Sequence, residues 1–239
     1  MTRGQGRNPA VRSAVRQGAS VAVATGLYGI SFGALSVVAG VSVPQTMTLS
    51  LLLFSGGSQF ALIGVVAAGG SPVAAVATST LLGVRNALYG AVVAPLLEVR
   101  GWRRLAAAQL TIDESTAVAV GQRERAATRA GFWVTGLGVF VLWNAFTLVG
   151  ALAGDALGDP RAWGLDAAAG AAFLALVWPR LAARRAQVVA ALAVAVTAAL
   201  IPVVPAGLPV LAAAAVAIVV GVVSTPRAPS APDGRKEAA

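Results

Sequence analysis

From Gly18 to Leu97 the chain carries a single charged residue, Arg85. Two further stretches, Gly131 to Gly154 and Ala186 to Thr225, carry none. No water-soluble core is that long and that uniformly apolar, and 57% hydrophobic residues with 11% charged ones and a mean hydropathy of +0.79 place the chain in a bilayer. In hydrocarbon, unpaired backbone N–H and C=O groups have no water to turn to, so runs of this length span as helices, at about 20 residues per crossing. The fold class expected is therefore all-α, a polytopic helical membrane protein.

Seven runs reach or approach that length: Gly18–Val41, Pro44–Ala68, Pro72–Leu97, Gly131–Ala153, Trp163–Trp178, Gln187–Ile201 and Leu208–Ser224. The net charge of +9 sits at their ends, with Arg3, Arg7, Arg12 and Arg16 before the first and Arg227, Arg235 and Lys236 after the last. That is the pattern of cytoplasmic flanks rather than a nucleic-acid-binding face. Residues 1–17 read as a basic cytoplasmic segment, 18–224 as a transmembrane transporter domain and 225–239 as a disordered cytoplasmic tail. With both termini cytoplasmic the number of crossings is even, whereas seven is odd. Either Leu105–Gly121 also crosses, making eight, or one run is broken or re-entrant, making six. A loose echo between Gly40–Gly56 and Gly164–Trp178 suggests an internal repeat of the kind found in transporters.

Polar residues inside these runs need a reason, since an Arg or Asp at a helix centre costs about 2.5 to 3.5 kcal/mol on insertion scales. In "FSGGSQF" (54–60), Ser55, Gly56, Gly57, Ser58 and Gln59 interrupt a lipid-compatible run. They suit a discontinuous helix whose second half offers N–H groups to an anionic ligand, or else close helix packing. In "GVRNALYG" (83–90), Arg85 with Asn86 and Tyr89 suits bidentate binding of a carboxylate, or else a structural ion pair or the tip of a cytoplasmic loop. In "TIDEST" (111–116), Asp113 and Glu114 suit proton carriage or pairing with Arg85, or else helix capping. Asn144 is expected to bond to a neighbouring helix, Asp166 to cap one, and Gly29 and Gly33 to serve close packing.

The chain has no Cys and no His, which removes disulfides, the usual zinc ligands and Cys- or His-dependent nucleophiles. No metal, cofactor or catalytic group is called for. Adjacent acids on one helix do not make the opposed pair of an intramembrane hydrolase, which stays a remote alternative.

The motifs "GISFG" (29–33), "FSGGSQF", "VRNALYGAVVAPL" (84–96), "DES" (113–115) and "GLD" (164–166) occur together in one order over most of the chain. In this the sequence resembles the AzlC family of branched-chain amino-acid permeases. The resemblance implies a plasma-membrane subunit that exports leucine, isoleucine or valine with a small hydrophobic partner of the AzlD type. It carries over Phe54, Gly56, Gln59, Arg85, Tyr89, Pro95, Asp113, Glu114 and Asp166 by motif match. Ser31, Gly83 and Asn86 depart from the residues usual in the family at those places. The expected function is secondary, proton-coupled export with the lipid bilayer and an amino acid as partners; the alternative is a structural subunit whose partner, or another class of small amino acid, defines transport.

Overall fold

The computed structural model describes residues 8–156, 174, 177–205 and 208–223. They are helical, with no strand among them. They fall into two compact units, Met1–Trp178 and Pro179–Ala239. Three helices are long and apolar enough to cross a membrane: α1 (Pro9–Val38), α4 (Pro72–Leu97) and α7 (Arg125–Ala156). Between them lie the shorter α2 (Val43–Leu52), α3 (Gly56–Ala67), α5 (Trp102–Gln109) and α6 (Asp113–Val120). The second unit contains α8 (Arg184–Leu200), which opens with two arginines, and the apolar α9 (Leu208–Val223).

α1 begins at Pro9, not at the start of the apolar run at Gly18, because the chain supplies an N-terminus there. Asn8 Oδ1 accepts from Ala10 N at 2.8 Å and Pro9 occupies the first turn, where its missing N–H is no loss. Arg12 and Arg16 are thus on the first turns of the helix rather than in a separate segment. α2 and α4 start the same way, with Ser42 and Ser71 as caps and Pro44 and Pro72 in the first turn. α1 and α3 end at glycines: Gly40 (φ 85°) and Gly69 (φ 73°) let the chain turn back so that Val41 N and Gly70 N reach Ser36 O and Val65 O.

The central packing is that of α1 on α7. A Cβ on Gly18 would lie 2.6 Å from Thr135 Oγ1, one on Gly26 2.6 Å from Leu142 Cβ, and one on Gly33 2.6 Å from Ala151 N. The two sets of numbers rise together, so the helices run parallel, backbone against backbone. The small-residue face of "GISFG" serves this contact. α4 brings its C-terminal Glu98 to the start of α7, where the carboxylate takes both Arg125 and Arg129, and so runs opposite to α1 and α7.

Two helix pairs fill the space between the long helices. The α2–α3 pair turns at Leu53–Ser55, close to Phe140 and Trp143 of α7: Phe54 meets Phe140 edge-on at 5.0 Å, and a Cβ on Gly56 would be 3.2 Å from the Trp143 ring. The α5–α6 pair turns at Leu110–Ile112, close to Gly136, whose Cβ would lie 3.0 Å from Leu110. It then returns, with Val118 against Gly131 and Gln122 bonded to Gln17 of α1 at 3.1 Å. Residues 136 and 140 are about one helical turn apart. The two turns therefore meet near the middle of α7, one pair having entered from each end.

Several expectations change here. Leu105–Gly121 is not one helix but two eight-residue pieces, each about 12 Å long and too short to cross. Among the described residues Asn144 bonds not to another helix but to its own: its Nδ2 donates to Phe140 O of α7 at 2.7 Å, because the carbonyl four residues back is within reach of a short amide. Asp166, most of the Trp163–Trp178 run, the second copy of the suggested repeat and the tail from residue 224 lie outside the described residues.

Candidate functional site

Helix breaks leave orphan carbonyls on one side and orphan N–H groups on the other. At the first break the carbonyls are answered by Gln59. Fully buried in the first turn of α3, it directs Nε2 back to Leu53 O at 2.9 Å, with Leu49 O and Ser50 O at 3.4 and 3.5 Å. Gln109, at the end of α5, adds a donor to Leu51 O at 2.9 Å, tying one pair to the other. At the second break Ser115 Oγ donates to Leu110 O at 2.6 Å and accepts from Ile112 N at 3.1 Å, while Thr111 Oγ1 donates to Ala107 O at 2.7 Å. In both pairs, then, the C-terminal end of the first helix is satisfied by side chains.

The N-terminal ends differ. Ser55 stands at the cap position of α3 with extended backbone, yet no side chain caps the helix, and Ser55 Oγ donates instead to Ser58 Oγ at 3.2 Å. The uncapped turn is buried and presents backbone donors with the partial positive charge of a helix start. α6 opens with Asp113 and Glu114. Arg85, halfway along α4, lies between the two. Its Nη1 is 2.8 Å from Asp113 Oδ2, and its Nη2 would be only 2.6 Å from a Cβ on Gly57. Only glycine lets the guanidinium settle on the first turn of α3.

Arg85 and Asp113 are about a quarter exposed, at 26% and 22%, so the pair is neither a core contact nor a surface one. Arg85 Nε and Asn86 Oδ1 are buried with no hydrogen-bond partner among the described residues. Tyr89 and Glu114 are half-buried, and Gly83, two residues before Arg85, would put a Cβ 3.5 Å from Ser58 Oγ of α3. Beside the first turn of α3 lies an aromatic wall. Phe32 stacks on Trp143 at 6.1 Å, and Phe60 meets Phe32 and Trp143 edge-on at 5.7 and 6.2 Å.

The structure thus brings together Ser55, Gly56, Gly57, Ser58 and Arg85 with Asp113. It gives Gln59 to the backbone of α2, and it places Asn144 on its own helix. Sequence reading overlooked Gln109, Thr111, Ser115 and Trp143.

The AzlC protein family profile matches residues 20–157. An uncharacterized membrane protein of Archaeoglobus fulgidus is 35% identical over 127 residues, which is 53% of this chain and 55% of that protein. The chain thus aligns with about half the length of that relative. No solved structure matches. The profile runs from residue 20, within α1, to the end of α7 and takes in every residue of the Arg85 site, and the chain belongs to the AzlC family of membrane proteins.

Proposed function

We propose that this chain is the transport subunit of a secondary exporter of leucine, isoleucine and valine, working in the plasma membrane with a small hydrophobic AzlD-type partner. The observation that carries the reading is the Arg85–Asp113 pair, set against the uncapped start of α3. An amino-acid zwitterion has the same two charges. Its carboxylate can take the Arg85 guanidinium and the α3 amides, its ammonium can take Asp113, and its branched side chain can lie toward Phe32, Phe60 and Trp143. Substrate would exchange with the internal pair, which keeps both charges compensated when the site is empty.

In this reading the α2–α3 and α5–α6 pairs are re-entrant, α1, α4 and α7 cross, and the sequence's last three apolar runs, Trp163–Trp178, Gln187–Ile201 and Leu208–Ser224, are counted as crossings. That gives six, with both termini cytoplasmic and Arg100, Arg103 and Arg104 on the cytoplasmic side. A proton is the coupling ion, carried by Asp113 or Glu114. One charge moving through 100 mV is worth about 2.3 kcal/mol, roughly a fiftyfold gradient.

The test is efflux from dipeptide-loaded cells that express the chain with its partner. Wild type should lower internal leucine, isoleucine and valine. Arg85→Gln should lose at least tenfold in rate at equal protein level, and Arg85→Lys should regain only part, since an ammonium cannot make the two parallel bonds of a guanidinium. Equal efflux by wild type and Arg85→Gln would end this assignment.

A further inference from the structure

The end of the first unit where α1 and α7 begin is strongly basic. Arg100, Arg103, Arg104, Arg123, Arg125 and Arg129 stand there against Glu98 and Glu124. Glu98 holds Arg125 and Arg129 together, one carboxylate for two guanidiniums. Arg129 Nε remains buried with no acceptor among the described residues. Arg103 lies over the exposed Trp102 ring, 5.7 Å from its centroid, and has no ion-pair partner among the described residues.

Two cavities flank the half-buried Trp133. One, of about 280 Å³, is walled by Trp102, Arg103 and Trp133. The other, of about 510 Å³, is walled by Val11, Arg125, Arg129 and Trp133, within the size range of small-ligand pockets, about 300 to 1,000 Å³. Each offers guanidinium donors and an indole face. The start of the 32-residue α7 adds its own partial positive charge.

We propose that this end of the molecule binds the phosphodiester headgroup of an anionic phospholipid. The headgroup sits among Arg103, Arg125 and Arg129, and an acyl chain runs along Trp133. Tryptophan is the side chain that favours this depth, and basic pockets between spanning helices are suited to anionic headgroups. A single carboxylate shared by two arginines positions them without neutralising them. The inference needs only a membrane location and is independent of what the Arg85 site moves.

The test is binding of short-chain phosphatidylglycerol and phosphatidylcholine to the detergent-solubilised full chain, read by native mass spectrometry. Wild type should prefer phosphatidylglycerol at least tenfold. Arg103→Gln, which breaks no ion pair, should weaken that binding about fivefold, and Arg103→Gln with Arg129→Gln about twenty-five-fold. Arg12→Gln, which removes an exposed charge lining neither cavity, should leave it unchanged. Equal binding of the two lipids, or as large a loss from Arg12→Gln as from Arg103→Gln, would overturn the site. So would complete displacement of the lipid by millimolar inorganic phosphate, which would make it a free-anion site.

Discussion

At the scale of the residue, one missing methyl group decides where the guanidinium of Arg85 can lie. Gly57 sits in the first turn of α3, and a Cβ there would come 2.6 Å from Nη2. Gly57→Ala should therefore improve helix propensity by about 1 kcal/mol and still damage the site, because the guanidinium has to leave the α3 amides. Gly64, later in the same helix, faces open space, so Gly64→Ala is the matched control. Efflux from cells with equal protein levels should fall about tenfold or more for Gly57→Ala and stay within twofold for Gly64→Ala. Equal rates would detach the position of Arg85 from transport. The pair itself is tested by exchange: Arg85→Asp with Asp113→Arg restores the charges but puts the guanidinium on α6. Stability should recover more fully than efflux, since only the original arrangement places cation beside the α3 start.

At the scale of the element, the question is what keeps a helix broken in the middle of a protein. Gln59 answers it for α2–α3 by holding the carbonyl of Leu53. Gln59→Leu removes the side-chain donor that the Leu49, Ser50 and Leu53 carbonyls share and leaves Leu53 O with the Ser55 N–H alone, at a cost of about 1 kcal/mol. Gln59→Glu is worse, because it replaces a donor with an acceptor facing three carbonyls. Thermal unfolding in detergent should rank wild type above Gln59→Leu and Gln59→Glu lowest, while the ratio of leucine to valine moved by Gln59→Leu stays that of wild type. A changed ratio would mean that Gln59 meets the substrate. These devices also explain what could be read in advance. α1, α4 and α7 were legible because an apolar run of this length has one stable form in hydrocarbon, and the break at Ser55–Gly57 was legible because two glycines and a glutamine have no place in a lipid-facing helix. The turn at Leu110–Ile112 was legible only through the alternative that Asp113 and Glu114 cap a helix start, the place they take in α6, since "LAAAQLTID" has neither glycine nor proline. Its break is made by Thr111 and Ser115 hydroxyls turning onto local carbonyls, a choice that a helix-compatible sequence leaves open. Nor could sequence spacing show that Gln109 reaches Leu51, 58 residues away.

At the scale of the whole molecule, the parallel run of α1 beside α7 constrains how the first unit sits in a bilayer. If both cross in the same direction, the chain between them must cross an odd number of times. One crossing by α4, opposite to α1 and α7 as its Glu98 contacts place it, satisfies this with both short pairs re-entrant; three crossings would satisfy the count only if α4 ran parallel to α1. The two arrangements share the same sides for Gly40 and Gln122 but differ in between. With re-entrant pairs Gly70 is external and Gly101 cytoplasmic; with crossing pairs they exchange sides. The arginines around Gly101 favour the first, since Lys and Arg collect in cytoplasmic loops. The return of α6 toward Gly131 and Gln17, the end from which α5 set out, favours it too. Because the chain has no cysteine, single cysteines introduced at these four positions report without background. In intact cells a membrane-impermeant maleimide should label Gly40→Cys and Gly70→Cys and leave Gly101→Cys and Gln122→Cys unlabelled until the membrane is opened. Labelling of Gly101→Cys with protection of Gly70→Cys would require α4 to cross in the same direction as α1, and would overturn the antiparallel placement that the Glu98 contacts with Arg125 and Arg129 give it.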